Sequence, residues 1–321
     1  MGSMQEFTIY IVDPFHPDAV QLVQNIPYVR VILPDDPRKA NWHADADGIM
    51  IRSDSKLTEE DFAKATRLRA VVKQGVGVDN IDLEGAKKHG IAIHNTPALN
   101  SESVAELSMA LTLTLSRRVA EIDRAVRGGE TVVRSKMLST SMFRKTVGVV
   151  GMGNIGKIIA QKWIGAFECN VVAYDPYAPA DAWSDVAHVR VSELDELLKV
   201  SDVVTLHVPL VKSTRGLIGA HALEIMKDTA ILVNCARGGV VDEKALLEGL
   251  RNKQIGGAAL DVMEIEPPTV DVYGEYLKYE NLIMTPHIGG STKENQSRSG
   301  MAVAETLMDV LEGREAGGKL V

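Results

Sequence analysis

Cysteine is scarce: only Cys169 and Cys235 occur in 321 residues, and they show no CxxC spacing. That excludes a disulfide scaffold, and a reducing, cytoplasmic compartment is expected. No metal is expected either. Long apolar runs are also missing. The most apolar stretch, LSMALTLTLS from Leu107 to Ser116, is broken by hydroxyls and flanked by Glu106 and Arg117. A membrane span needs about 20 mostly apolar residues, so no membrane partner is expected, and no signal peptide is read. Positive charge is not in excess. The net charge is -8 and the pI about 5.6, which argues against nucleic acid as the main partner. Internal repeats and low-complexity tracts are absent as well.

What is present is a chain that is 45% hydrophobic and 24% charged, a globular balance long enough for two domains. Short apolar runs alternate with helical patterns. In the N-terminal part FTIYIV, VRVIL, GIMIR, RAVVKQ and IAIHN read as strands, and TEEDFAKAT as a helix start. A second series follows in KTVGVVG, NVVAYD, VVTLHV, AILVNC, GGAALDV and NLIMTP. Strands alternating with helices predict parallel sheets covered on both faces. Between the two series, capping-box spacing at Ser103 and Glu106 and a stripe of Leu107, Leu111, Leu115, Val119, Ile122 and Val126 predict one long helix ending at Gly128 and Gly129. A last helix, about Lys293 to Gly313, is expected to return to the first domain. The fold class is therefore α/β, with two Rossmann-like, doubly wound parallel-sheet domains, one inserted into the other. The expected boundaries are 1–101 plus 288–321 for a flavodoxin-like substrate domain and 102–287 for a dinucleotide domain. The opening Met1–Gly2–Ser3 reads as a cloning remnant ahead of Met4.

VVGMGNIGKIIA places Gly151, Gly153 and Gly156 as GxGxxG between a strand and a helix. The first glycine permits the tight turn. The second admits a pyrophosphate to the backbone, and the third lets helix and strand pack closely. The helix start then offers N–H groups to phosphate. Asp175, at the end of the next strand, is placed to meet the adenosine ribose hydroxyls. No lysine or arginine follows it before Arg190, so NAD is expected rather than NADP.

Three further loops each follow a strand. NCARGGVVDE carries Arg237, suited to hold a carboxylate by paired hydrogen bonds. ALDVMEIEPP carries Asp261, Glu264 and Glu266, and can also be read as a solvated acidic loop. MTPHIGGST carries His287, with Gly289 and Gly290 beyond it. Loops at the carboxyl edge of one parallel sheet can meet. Reduction of a 2-keto acid needs hydride at C2 and a proton on oxygen. His287 can supply that proton, Glu266 can fix its tautomer, and Arg237 can stabilise developing negative charge. In the first domain, KQGVGVDNID offers Gly75 and Gly77 as a possible nest of N–H groups for a carboxylate.

Together these motifs, in this order, resemble the D-isomer-specific 2-hydroxyacid dehydrogenase family from about Phe7 to Leu320. NCARGGVVDE and PHIGGSTKENQSRSG are most similar to its D-3-phosphoglycerate dehydrogenase branch. The resemblance implies a catalytic Arg237–Glu266–His287 triad and a homodimer. It implies NAD contacts at Val76, Gly151, Gly153, Asn154, Ile155, Gly156, Asp175, Val208, Pro209, Cys235, Ala236, Arg237, Asp261, His287, Gly289 and Gly290. The anionic 2-hydroxy or 2-keto acid would meet Arg52, Ser53, Gln74, Gly75, Val76, Gly77, Arg237 and His287. Arg52, in IRSDSKLT, is the expected phosphate ligand, and Arg134 and Lys136 are candidates to reach a neighbouring subunit's pocket. Hydroxypyruvate and glyoxylate are alternative substrates. Formate dehydrogenases share the fold but carry glutamine where Glu266 stands. An NAD-sensing corepressor is the alternative of another class.

Overall fold

A computed structural model describes residues 6–321; the expected native start at Met4 lies outside that range. The chain divides into two compact units. Unit 1 comprises residues up to Asn100 and from Gly290 to Val321, and unit 2 is the insertion Ser101–Gly289. The changeovers sit one and two residues from the expected ones, for local reasons. Ser101 is already the first residue of a helix of unit 2. Ile288 and Gly289 are tied through their N–H groups to Asp261 of the same unit.

Unit 1 contains β1 (Phe7–Ile11), β2 (Val29–Ile32), β3 (Gly48–Ile51), β4 (Ala70–Lys73) and β5 (Ala92–Asn95). They form one parallel sheet in the order β2-β1-β3-β4-β5. β1, β3 and β4 are buried at every position, as strands covered on both faces must be. One face carries Trp42, Phe62 and Ile93. The other packs against α1 (Pro17–Gln24) and α11 (Lys293–Leu311) through Val23, Val303 and Leu307.

Unit 2 holds β6 (Thr146–Val150), β7 (Asn170–Tyr174), β8 (Val189–Arg190), β9 (Val203–Leu206), β10 (Ile231–Asn234), β11 (Gly257–Leu260) and β12 (Leu282–Met284). Their order is β12-β11-β10-β9-β6-β7-β8. Direction along the sheet reverses between β6 and β9, which makes their carboxyl ends the topological switch point where open α/β sheets take ligands. The two-residue β8 was not anticipated.

The long connecting helix differs from expectation. It is two helices, α4 (Ser101–Ser116) and α5 (Val119–Arg127), broken where Arg118 adopts φ 54°. The Arg118 guanidinium bonds Glu121 at 2.7 and 2.6 Å. The helix starts before the capping-box pair, so Ser103 lies inside it. Of the leucine stripe only Leu111 is buried; the rest of the buried side of α4 includes Ser103, Val104, Ala105, Ser108 and Thr112, and α5 buries nothing. Small side chains let α4 lie close against the sheet and against α6 (Asn154–Phe167).

Candidate functional site

The glycine turn after β6 shows why each glycine is there. Gly151 has φ 101°, and a Cβ on it would lie 2.4 Å from the carbonyl oxygen of His207. A Cβ on Gly156 would lie 2.2 Å from the Gly151 oxygen, so helix and strand touch backbone to backbone. Gly153 is different: a Cβ there would meet nothing within 4 Å. The protein itself does not require glycine at that point, whereas a phosphate resting on the backbone would. No side chain caps α6, whose first residues are Asn154 and Ile155. The amides a phosphate would use are therefore not taken by a cap.

Asp175 follows β7. Its carboxylate accepts from the amides of Met152 (2.9 Å), Tyr177 (2.9 Å) and Ala178 (3.2 Å). A carboxylate offers about four acceptor positions, so capacity remains for a ribose hydroxyl. Arg190 is nearer than its place in the chain suggested. Its guanidinium donates to the carbonyls of Asp175, Ala178 and Pro179, each at 2.8 Å. It pins the turn.

Beyond β9 come His207, Val208 and Pro209. His207 is half-buried with its ring Nδ1 covered, and bonds Thr205 Oγ1 through Nε2 at 2.8 Å; Thr205 meets Ser108 at 3.0 Å. Burial holds this imidazole down to about 3, so it is neutral. Cys235 and Ala236, after β10, are 7% and 6% exposed and offer a ligand little surface. Burial pushes the Cys235 thiol far up.

The loops after β10, β11 and β12 bring Arg237, Glu266 and His287 to adjacent positions on one sheet edge. His287 Nδ1 lies 3.0 Å from Glu266 Oε2. Burial pushes the Glu266 carboxyl up. The His287 hydrogen bond and charge, the Met263 amide and the Arg237 charge together outweigh it and leave Glu266 below the ordinary carboxylate range. Arg237 donates to the Ala236 carbonyl at 2.7 Å, and Asn234 braces its turn by accepting from the Ala236 amide and donating to the Arg237 carbonyl, both at 3.0 Å. Gly238 is obligatory, because a Cβ on it would fall 1.9 Å from the Met263 oxygen. The arginine turn and the glutamate loop are in backbone contact.

His287 itself has φ 55°, a left-handed conformation uncommon for a non-glycine residue. Asp261 holds it there. The Asp261 carbonyl accepts from His287 N at 2.7 Å. Its carboxylate accepts from Thr285 Oγ1 (2.6 Å) and from the amides of Ile288 and Gly289 (2.8 Å each). Asp261 is 1% exposed, so its visible work is to shape the histidine turn; burial raises its carboxyl despite those bonds and the His287 charge.

In unit 1, Gly75 (φ 99°) has its amide on Thr96 Oγ1 at 2.8 Å. The expected nest therefore loses that N–H, and only the Val76 and Gly77 amides remain candidates. The Val76 carbonyl accepts from Asn95 at 2.7 Å. Arg52 rests its guanidinium on the Pro14 carbonyl at 2.8 Å. Ser53 Oγ accepts from Lys73 Nζ at 3.2 Å. Lys73, 3% exposed, was missed as a site residue; a lysine ending an otherwise apolar strand was the available signal. Gln74 donates to Ser299 at 2.6 Å and to Gln296 at 3.2 Å. Gln296 and Asn295 in turn donate to the Gly290 carbonyl, at 2.9 and 2.6 Å. Arg134 and Lys136 lie exposed in a short 3-10 turn.

With this geometry in place, comparison with known proteins is informative. Residues 109–289 match the family model described as D-isomer specific 2-hydroxyacid dehydrogenase, NAD binding domain. The chain belongs to this family. It is 40% identical over 309 residues to D-3-phosphoglycerate dehydrogenase of Methanocaldococcus jannaschii, covering 96% of this chain and 58% of that one. It is 36% identical over 312 residues to hydroxypyruvate reductase of Thermotoga maritima, covering 96% and 99%. Among solved structures, TT0316 protein from Thermus thermophilus superposes with a TM-score of 0.88 at 32% identity, covering 98% of this chain and all of that one. The chain thus spans between half and three fifths of the phosphoglycerate dehydrogenases it matches, and nearly all of the reductase. The shared fold of these family members is the pair of parallel-sheet α/β domains described above.

Proposed function

We propose that the protein is an NAD-dependent D-2-hydroxyacid dehydrogenase, acting as a 2-keto acid reductase in the reverse direction. The observation that carries this reading is the 3.0 Å pairing of His287 with Glu266, one sheet edge away from an open, uncapped GxGxxG turn. NAD fits the residues present. Gly153 leaves room for a diphosphate, the start of α6 can receive it, and the Asp175 carboxylate suits a 2′-hydroxyl and repels a 2′-phosphate. Arg190 is committed to the turn itself, where three carbonyls take three of its five N–H donors. When bound, the nicotinamide supplies or accepts the hydride.

Everything else falls to the chain. Glu266 accepts from Nδ1, fixes the His287 tautomer and favours its imidazolium. Among the described residues Nε2 bonds no side chain or carbonyl, and that nitrogen is where the proton passes to or from the substrate oxygen. Arg237, steadied by Asn234, takes the substrate carboxylate or the oxygen on which negative charge develops. Asp261 holds the turn that aims the imidazole.

For substrate, the reading favours a small anionic acid with a phosphate, of the 3-phosphoglycerate type, held by Arg52, Ser53, Gln74 and the amides of Val76 and Gly77. Lys73 adds a buried positive charge at the same loop. Hydroxypyruvate and glyoxylate are the alternatives, because a hydroxypyruvate reductase is among the relatives and matches over nearly the full length of both chains. Self-association as a homodimer is part of the proposal. An apolar groove between α4 and α6, lined by Met109, Ala110, Leu113, Gly165 and Ala166, supports it, as do the exposed Val119 and Val126 of α5. A cytoplasmic location is consistent with two free, buried cysteines.

The deciding experiment follows NADH oxidation with 3-phosphohydroxypyruvate, hydroxypyruvate, glyoxylate and 2-ketoisocaproate. Turnover is expected, with the highest kcat/KM on the phosphorylated acid. Tight NADH binding without turnover on any acid would sink the enzyme reading and favour an NAD sensor.

A further inference from the structure

The loop that carries Glu266 has no strand partner, yet three successive amides of it are answered by side chains. Met263 N donates to Glu266 Oε1 at 3.1 Å, Glu264 N to Glu243 Oε1 at 2.7 Å, and Ile265 N to the Tyr273 hydroxyl at 3.1 Å. The Tyr273 hydroxyl then donates to Glu243 Oε2 at 3.1 Å. Glu243 and Tyr273 are 9% and 2% exposed. Glu243 opens α9 (Glu243–Arg251), and Tyr273 closes α10 (Val270–Tyr273).

This direction of bonding is forced. The phenol oxygen accepts from the Ile265 amide, and its O–H donates to Glu243, because an ionised carboxylate can only accept. The pair is more than a helix cap, because the side chain of Asp242 already caps α9 by accepting from Ala245 N at 3.0 Å. Nor is it remote from the arginine. Glu243 ends the segment that begins with Arg237, and Gly238 of that segment lies against the Met263 carbonyl. One buried carboxylate thus ties the arginine segment to the loop of the triad glutamate.

We propose that Glu243 and Tyr273 are positioning residues for the reaction: as a buried carboxylate–phenol brace they fix the Met263–Glu266 loop and so set the distance between Glu266 and the imidazole of His287. This rests on the dehydrogenase reading above for its catalytic consequence, but not for its geometry. The charged groups facing His287 within unit 2 are Glu266 and Asp261, with Arg237 acting on Glu266. Those facing Glu243 are Glu264 and Asp242, beside Tyr273; Tyr276 lies within its field. A loosened loop lets Glu266 withdraw. The imidazole then loses the carboxylate that holds its Nδ1–H and its orientation.

The test is proton NMR of the imidazole N–H signals at one fixed pH in the wild type, Tyr273→Phe and Glu243→Gln, with His287→Asn identifying the His287 Nδ1–H resonance. The expected result is that this resonance moves upfield or broadens in both variants, as its hydrogen bond to Glu266 lengthens. kcat for 2-keto acid reduction should fall about tenfold, while KM for NADH stays within about twofold. In a Glu266→Gln background, Tyr273→Phe should lower kcat no further, because its effect passes through Glu266. An unchanged His287 Nδ1–H resonance in folded Tyr273→Phe and Glu243→Gln would overturn the brace, even with reduced activity. If the wild type reduces no 2-keto acid, the dehydrogenase reading fails, and the resonance still decides the brace.

Discussion

The two units end their central strands in unlike ways. In unit 2, the side chains after β10, β11 and β12 are bonded to one another and to neighbouring amides: His287 to Glu266, Glu266 to Met263, Asp261 to three donors of one turn. In unit 1, the loops after β3 and β4 present cations on neutral oxygens, with Arg52 on the Pro14 carbonyl and Lys73 on Ser53 Oγ and the Gln74 carbonyl at 3.1 Å. Arg52 is half-buried and Val76 46% exposed. A preorganised edge suits a step common to all substrates, since groups fixed before reaction need no rearrangement during it. A positively charged loop suits recognition, where a substrate anion brings the opposite charge. On this view unit 2 sets the chemistry and unit 1 sets the specificity.

The sharpest way to break that contrast is to remove the proton donor. His287→Ala should lower kcat on every acid in the panel by about 10³-fold, within the range general acids contribute, with NADH affinity measured by fluorescence nearly unchanged. A loss confined to one substrate would place His287 among the specificity groups instead. The corresponding change in unit 1 should behave differently. Arg52→Ala should cost the phosphorylated acid about 10- to 100-fold in kcat/KM, the worth of a charged hydrogen bond. An unphosphorylated acid should lose about twofold or less. Equal losses would remove the phosphate pocket from the proposal.

The same contrast governs how much could be read from sequence. Strands such as AILVNC and GGAALDV are legible because burial on both faces demands a continuous apolar run. The break between α4 and α5 was hidden, because Arg118 turns left-handed with neither glycine nor proline to mark it. It is held by Glu121 instead. The leucine stripe announced a helix but not which side it buries, since Ser108 and Thr112 are fully buried. At the site, Arg237, Glu266 and His287 could be nominated since each follows a strand of one sheet. The supports behind them could not. Glu243 and Tyr273 are 30 residues apart, and no spacing rule joins an acidic helix start to a later phenol. Asp261 was visible as a polar residue at a strand end, but only coordinates show its carboxylate turned under the histidine.

The smallest effect expected is on acid stability, and it separates the two carboxylates beside His287. Glu266 has a folded value below its ordinary 4.5. Its ionised form therefore stabilises the fold above that pH, and the contribution is lost as pH falls through the lower folded value. Asp261 has the opposite sign. Its folded value is raised above 3.8 by burial, so its ionisation costs stability at neutral pH and the cost is relieved on acidification. The melting curve of the wild type alone mixes the two. A difference curve isolates one: the Tm of wild type minus that of Glu266→Gln should be positive at pH 6, by no more than about 2 °C because the Glu266 side chain is 35% exposed and screened. It should shrink toward zero below about pH 4. A difference that grows on acidification would mean that Glu266 is held protonated in the fold, and the carboxylate–imidazole pairing on which the proposed proton transfer depends would have to be abandoned.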